Sequence, residues 1–234
     1  MKNIMREFLI ICLCQIILLC IGCSEFERSN EQNSYIDLEK RISSLEELYP
    51  PIDIEKKLWM NENSCKVYIP WIANEQYIDV NNKIESIVRE RIDGVVETGW
   101  DESFYINIDY VISYNQNQML SFYFLEKSFI GWRSHESLTG INIDLQSGEL
   151  IPITDLVDID EIFLEKLFSY QSDNYGREEY ISSYLVDNYG KDQIIKMIKN
   201  QIGVSYYFSK DFIYVSFPLT QALSFHMEFG VKRN

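Results

Sequence analysis

The chain is poor in the residues on which enzyme chemistry most often turns. Its 234 residues include only two histidines and five cysteines. Four of those cysteines, Cys12, Cys14, Cys20 and Cys23, crowd into the first two dozen positions. Cys65 is left alone beyond them, so an internal disulfide is impossible once Cys23 is acylated. Cys65 lies in an apolar run and reads as a buried, inert thiol. His135 and His226 have no His/Cys/Asp set at ligand spacing around them, so no metal and no cofactor is assigned. Ser-x-x-Lys, Gly-x-Ser-x-Gly, His-Glu-x-x-His and P-loop patterns are all missing, which removes the usual hydrolase and nucleotide-binding signatures. No catalytic residue is assigned. Positive charge is also scarce. Lys and Arg number 21 against 36 Asp and Glu, a net charge of −15. A phosphate backbone would be repelled, so no nucleic acid is expected as a partner. The same field suits solubility or the attraction of a basic protein.

What the chain does have begins at its N-terminus. Lys2 and Arg6 precede an apolar run from Phe8 to Ile21, broken only by Gln15. A basic start, a short apolar centre and a small residue before the cut read as an export signal over residues 1–22. The run is shorter than the ~17–25 residues of a spanning helix. With Gly22 before it, Cys23 resembles the lipidated cysteine of a lipobox, and Cys20 departs from the leucine usual there. The expectation is a lipid-anchored protein on the extracytoplasmic face of the cell membrane. Residues 23–63 then supply a tether and a helical extension: 24–34 are polar and aperiodic, while Leu38, Ile42, Leu45 and Leu48 keep helical spacing up to Pro50-Pro51.

The body of the chain reads as α+β, a mostly antiparallel sheet with helices packed on one face, in two sub-domains. Ser64 to Trp71 is taken as the first strand. Val80, Ile84, Ile87, Val88, Ile92 and Val95 predict a long amphipathic helix. Phe104–Tyr114 and Met119–Phe129 alternate about a turn at residues 115–118, and Ile141–Leu145 continues the meander. Gln146-Ser-Gly-Glu149 is a turn with Gly148 at positive φ, followed by a short strand at Leu150–Ile153. Asp155, Asp158, Asp160 and Glu161 lack the glycine and distal glutamate of an EF-hand. Asp158 and Glu161 fit a helix capping box instead. Helices follow at about 159–167, 180–186 and 194–198, then a hairpin about Ser209-Lys-Asp211 and a last strand at Leu223–Val231. The stretch from Phe129 to His135 reads as a loop joining two strands, and its Trp132, Arg133 and His135 are the candidate ligand contacts.

The stretch from Asn142 to Leu156, with Asn142, Asp144, Gly148, Asp155 and Leu156, resembles a segment of the extracytoplasmic domains of RsiV-type anti-sigma factors and PdaC-type peptidoglycan deacetylases. Cys65–Pro70, Val80–Ile84, Gly131–His135 and Glu228–Val231 extend the resemblance over roughly residues 60–231. It implies a smaller N-terminal half at 64–118 and a larger C-terminal half at 119–234. It also implies a non-catalytic binding module for a lysozyme-like basic protein or for cell-wall glycan, peptidoglycan. The alternative is a small envelope glycan hydrolase, in which Asp109, Asp144 or Glu149 supplies a carboxylate pair at the ~5–9 Å such chemistry needs.

Overall fold

The computed structural model describes residues 50–62, 64–96, 105–130, 133–169, 178–219 and 226–233. The signal region, the lipobox, the helix expected near 35–48 and Trp132 lie outside the described residues. Residues 51–234 form one compact unit, built as α+β from two sheets, each with its own helices. Among the described residues, no helix is long and apolar enough to cross a membrane.

The larger sheet has five strands in the order β1-β2-β3-β4-β5: Ile54–Glu62, Cys65–Ile72, Tyr105–Gln116, Met119–Ile130 and Arg133–Asp144. All its pairs are antiparallel except β2 with β3, which run parallel. A parallel pair needs a crossover, and the helix α1, Ile78–Val96, provides it. Val80, Ile84, Val88 and Ile92 make its buried stripe, set on Val67, Ile69, Ile106, Ile108, Phe122 and Phe124. Asn81 fixes the start of α1: its side chain accepts from the Ile72 N–H and donates to the Ile72 carbonyl, at 3.0 and 2.8 Å. The β3–β4 hairpin turns on Asn117 and Gln118, both at positive φ (53° and 59°), the backbone of a tight two-residue turn made without glycine.

The smaller sheet has the order β6-β7-β8: Ser205–Phe208, Phe212–Pro218 and His226–Lys232, all antiparallel. The helices α2 (Glu161–Phe168), α3 (Glu178–Tyr189) and α4 (Lys191–Asn200) cover one of its faces. Phe163, Leu167, Ile181, Ile194 and Ile198 meet Phe208, Val215, Phe217 and Phe229 in that core.

Three expectations are corrected. The first strand is β1 rather than Ser64–Trp71; it is an edge strand whose register shifts between Leu58 and Met60, and that shift breaks the period-2 pattern. Leu150–Ile153 forms only a single bridge, Ile143 with Leu150, before a 3-10 turn at Ile153–Asp155. The cap of α2 is Asp160, not Asp158: its Oδ1 accepts from the Phe163 N–H at 2.7 Å. Asp160 stands immediately before the first helical residue, where a carboxylate reaches the free amide of the third.

Candidate functional site

The Phe129–His135 stretch is mostly strand, not loop. β4 runs to Ile130 and β5 begins at Arg133, and residues 131–132 lie outside the described residues. His135 faces Ser128 across the ladder, and Arg133 faces Ile130. Pairing with β4 carries the strand through Arg133, Ser134 and His135. His135 is exposed on β5.

β5 is an edge of the five-stranded sheet, and the direction of its backbone groups is fixed. The Asn142 carbonyl accepts from Ile151 N–H, and the Asp144 N–H donates to the Glu149 carbonyl, both at 2.9 Å and both away from β4. Because the N–H and C=O of one strand residue share a side and successive residues alternate, Ser134, Glu136, Leu138 and Gly140 also point outward. The Gly140 N–H donates to Ser205 Oγ at 2.5 Å. Among the described residues, no backbone group pairs with Glu136 or Leu138 on that side.

A groove of about 630 Å³ follows this edge, lined by the continuous run His135 to Asn142. One wall is α1, with Ile87 and Arg91; the other is the helix-free face of the small sheet, with Ser205, Ser216, Pro218 and His226. Both histidines of the chain therefore line one groove. Arg91 is held in place: Nε donates to the buried Glu126 at 2.7 Å, and a terminal nitrogen donates to Ser137 Oγ at 2.5 Å. Across the groove, His226 Nδ1 is buried and meets no hydrogen-bond partner among the described residues. Its Nε2 stands 4.0 Å from Glu228 Oε2, and Glu228 Oε1 accepts from the Tyr207 hydroxyl at 2.6 Å. Tyr207 stacks on Tyr214 and leans on Tyr123. Burial first, and then the Glu228 charge beside it, push the Tyr207 hydroxyl well above the ordinary tyrosine range.

The motif residues hold the two sheets together. Asn142 donates to the Tyr206 carbonyl at 2.9 Å and accepts from Ser121 Oγ at 2.7 Å. Ser121 Oγ in turn accepts from the Phe208 N–H at 2.9 Å. The free edge of β6 is thus capped by side chains standing on the face of the larger sheet. Gly140 makes the approach possible, since a Cβ there would sit 1.9 Å from the Tyr206 carbonyl oxygen. Asp144 closes the following turn, its Oδ1 accepting from the Gln146 and Ser147 amides at 2.8 and 2.9 Å. Gly148 takes φ 74°.

The carboxylates considered for glycan cleavage are spread apart in role. Asp109 pairs with Lys56 at 2.6 Å, Asp144 caps its turn, and Glu149 faces Lys83 at 4.0 Å; none of the three lines the groove. Among the described residues, no group of three or more His, Cys, Asp or Glu is placed to hold a metal ion. Cys65 is buried, and burial, then the charge of Glu126, raises its thiol pKa. The sequence assigned His226 no ligand role and did not single out Arg91 or Ser137. Nothing local marks them, because the groove joins residues from α1, β5 and β8.

No family model and no curated protein matches the chain. Among solved structures, it is similar to a DUF3298 family protein from Pseudomonas aeruginosa PAO1, with a TM-score of 0.49 and 11% identity over 78% of this chain and 91% of that one. A DUF3298 family member from Bacteroides fragilis NCTC 9343 gives a TM-score of 0.46 and 15% identity over 79% and 89%. At these levels the likeness assigns no function.

Proposed function

We propose that this chain is a lipid-anchored extracytoplasmic binding domain, without catalytic activity, that captures a lysozyme-like basic protein in the groove along β5. The observation that carries the reading is the groove itself. It sets a strand edge with outward amides, both histidines and the fixed Arg91 in one cleft, on a chain of net charge −15. A field of that sign steers a cationic partner into encounter. The resemblance to RsiV-type domains supports a lysozyme-like ligand, and the PdaC-type setting makes cell-wall glycan the ligand to try beside it. Carboxylate chemistry has less support, because Asp109, Asp144 and Glu149 are committed to separate structural contacts.

The test compares binding of the full-length chain, in detergent micelles, to a lysozyme and to purified peptidoglycan. Lysozyme binding with an association rate that falls as salt rises supports the reading. Trp132→Ala speeds dissociation if Trp132 contributes an anchor along with Arg133 and His135. Binding to peptidoglycan alone moves the ligand to glycan. Clearing of cell wall that one Asp or Glu substitution abolishes replaces binding with hydrolysis.

A further inference from the structure

The outward amides of β5 lie inside the groove and not merely beside it, and that placement speaks to the form of the ligand. Glu136 and Leu138 each turn an N–H and a C=O toward the groove, and among the described residues no backbone group meets them there. On the C-terminal side of this gap the edge is already covered. Ser205 Oγ takes the Gly140 N–H, and the 149–151 segment takes Asn142 and Asp144. The length from Ser134 to Leu138 spans about 13 Å at ~3.3 Å per residue, enough for a partner segment of about five residues. An edge strand broken by neither proline nor a bulge, as β5 is over this stretch, is a template for pairing. The groove has walls on both sides of it, which a lone edge lacks. The wall opposite carries His226, whose buried Nδ1 meets no partner among the described residues.

We propose that an extended, lysine-bearing segment of the basic partner adds to β5 as a sixth strand, bonding to the Glu136 and Leu138 backbone. This rests on the binding reading above and names its mode. Main-chain hydrogen bonds supply the affinity in such additions, and alternate side chains supply the choice of sequence. The net charge of −15 draws a cationic segment toward the chain, and Glu136 is the carboxylate on the groove's lining. The segment's alternate side chains point toward α1 or toward the small sheet, so those on the second side meet Glu136 and His226.

Proline supplies the test, because it removes an N–H while tolerating an edge position. Glu136→Pro deletes the outward donor and leaves the bonds to β4, which run through the odd-numbered residues. Glu136→Ala removes the same side chain, including its ion pair with Lys127, and keeps the N–H. The probe is an alternating Lys-Val octapeptide, acetylated and amidated, added to the full-length chain in detergent. Glu136→Pro is expected to weaken binding by about fivefold relative to Glu136→Ala, the worth of about one hydrogen bond. Amide exchange at Glu136 and Leu138 is expected to slow when the peptide binds wild type. Peptide binding that leaves these amides unprotected, or no peptide binding at all, overturns strand addition. Protection already present in the free protein together with a dimeric mass overturns it too, in favour of a second copy on the edge. Lysozyme capture is measured separately, so its success beside a failed peptide experiment leaves the binding function standing without this mode. If Glu136→Pro unfolds the chain, the same octapeptide N-methylated at alternate amides replaces it, with the same expected loss.

Discussion

Two glycines show how differently a missing side chain can act. Gly148 sits at φ 74° with open space where a Cβ would go, so only backbone strain opposes substitution. Gly148→Val should lower stability by roughly 1–3 kcal/mol, read as a drop in melting temperature, and Gly148→Asn should restore most of it. Gly140 has ordinary strand conformation but no room, with a carbonyl oxygen 1.9 Å from any added Cβ. Gly140→Ala must push β6 off the larger sheet and should cost about 3 kcal/mol, the larger loss although the residue added is smaller. The sequence made the first glycine legible, since Ser-Gly between two apolar runs announces a turn. It was silent on the second, because close approach of another strand is a long-range fact. Tyr207 adds a pH effect. Its hydroxyl titrates higher in the folded chain than the ordinary value of 10.0, through burial and Glu228. The unfolded chain therefore loses that proton first as pH rises, so stability is intact below pH 10 and declines above it. Tyr207→Phe should flatten the alkaline limb of a stability-against-pH curve, and an unchanged limb would remove Tyr207 as its source.

At the scale of elements, asparagine recurs as a clamp. Asn81 holds the end of β2, Asn115 takes both the N–H and the carbonyl of Ile52 at 3.2 and 2.7 Å, and Asn142 holds β6. Asn81 and Asn115 each offer one donor and one acceptor to a single residue's backbone, whereas Asn142 donates to the Tyr206 carbonyl and accepts from the Ser121 hydroxyl. Asn142→Ala leaves the buried Tyr206 carbonyl and the Ser121 hydroxyl short of partners. It should cost about 1–3 kcal/mol, seen as a shifted denaturant midpoint. Exchange should also quicken at Phe208, whose amide Ser121 accepts. The hairpins and α1 were legible because alternation and helical spacing are local patterns. β1 was not, since its bulge shifts the alternation partway along. Nor was the extension of β5 back to Arg133, where a glycine and polar residues read as loop while pairing with β4 held the strand. The groove was illegible for the same reason, its two walls coming from α1 and the small sheet, with β3, β4, β5 and three helices between them in the chain.

For the whole molecule, the two proposals about attachment and capture are separable. Anchoring depends on Cys23 as the acylated thiol, and stable attachment needs more than one acyl chain, which a diacylglyceryl group provides. Cys23→Ser should leave an unprocessed precursor that takes up no labelled palmitate. Equal labelling of mutant and wild type would place the lipid elsewhere. Capture depends on charge and on the groove in different ways. Long-range charge acts on encounter and is screened over ~8 Å at physiological ionic strength, whereas contacts inside the groove act on escape. The most direct measurement is therefore the pair of rate constants for lysozyme on the full-length chain, across a salt series, with wild type and His226→Ala. The account predicts an association rate that falls steeply with salt and is the same for both proteins, and a dissociation rate that barely responds to salt but is faster in His226→Ala. Dissociation that ignores His226 and binding that disappears at moderate salt would contradict it, leaving only charge attraction with no use of the groove.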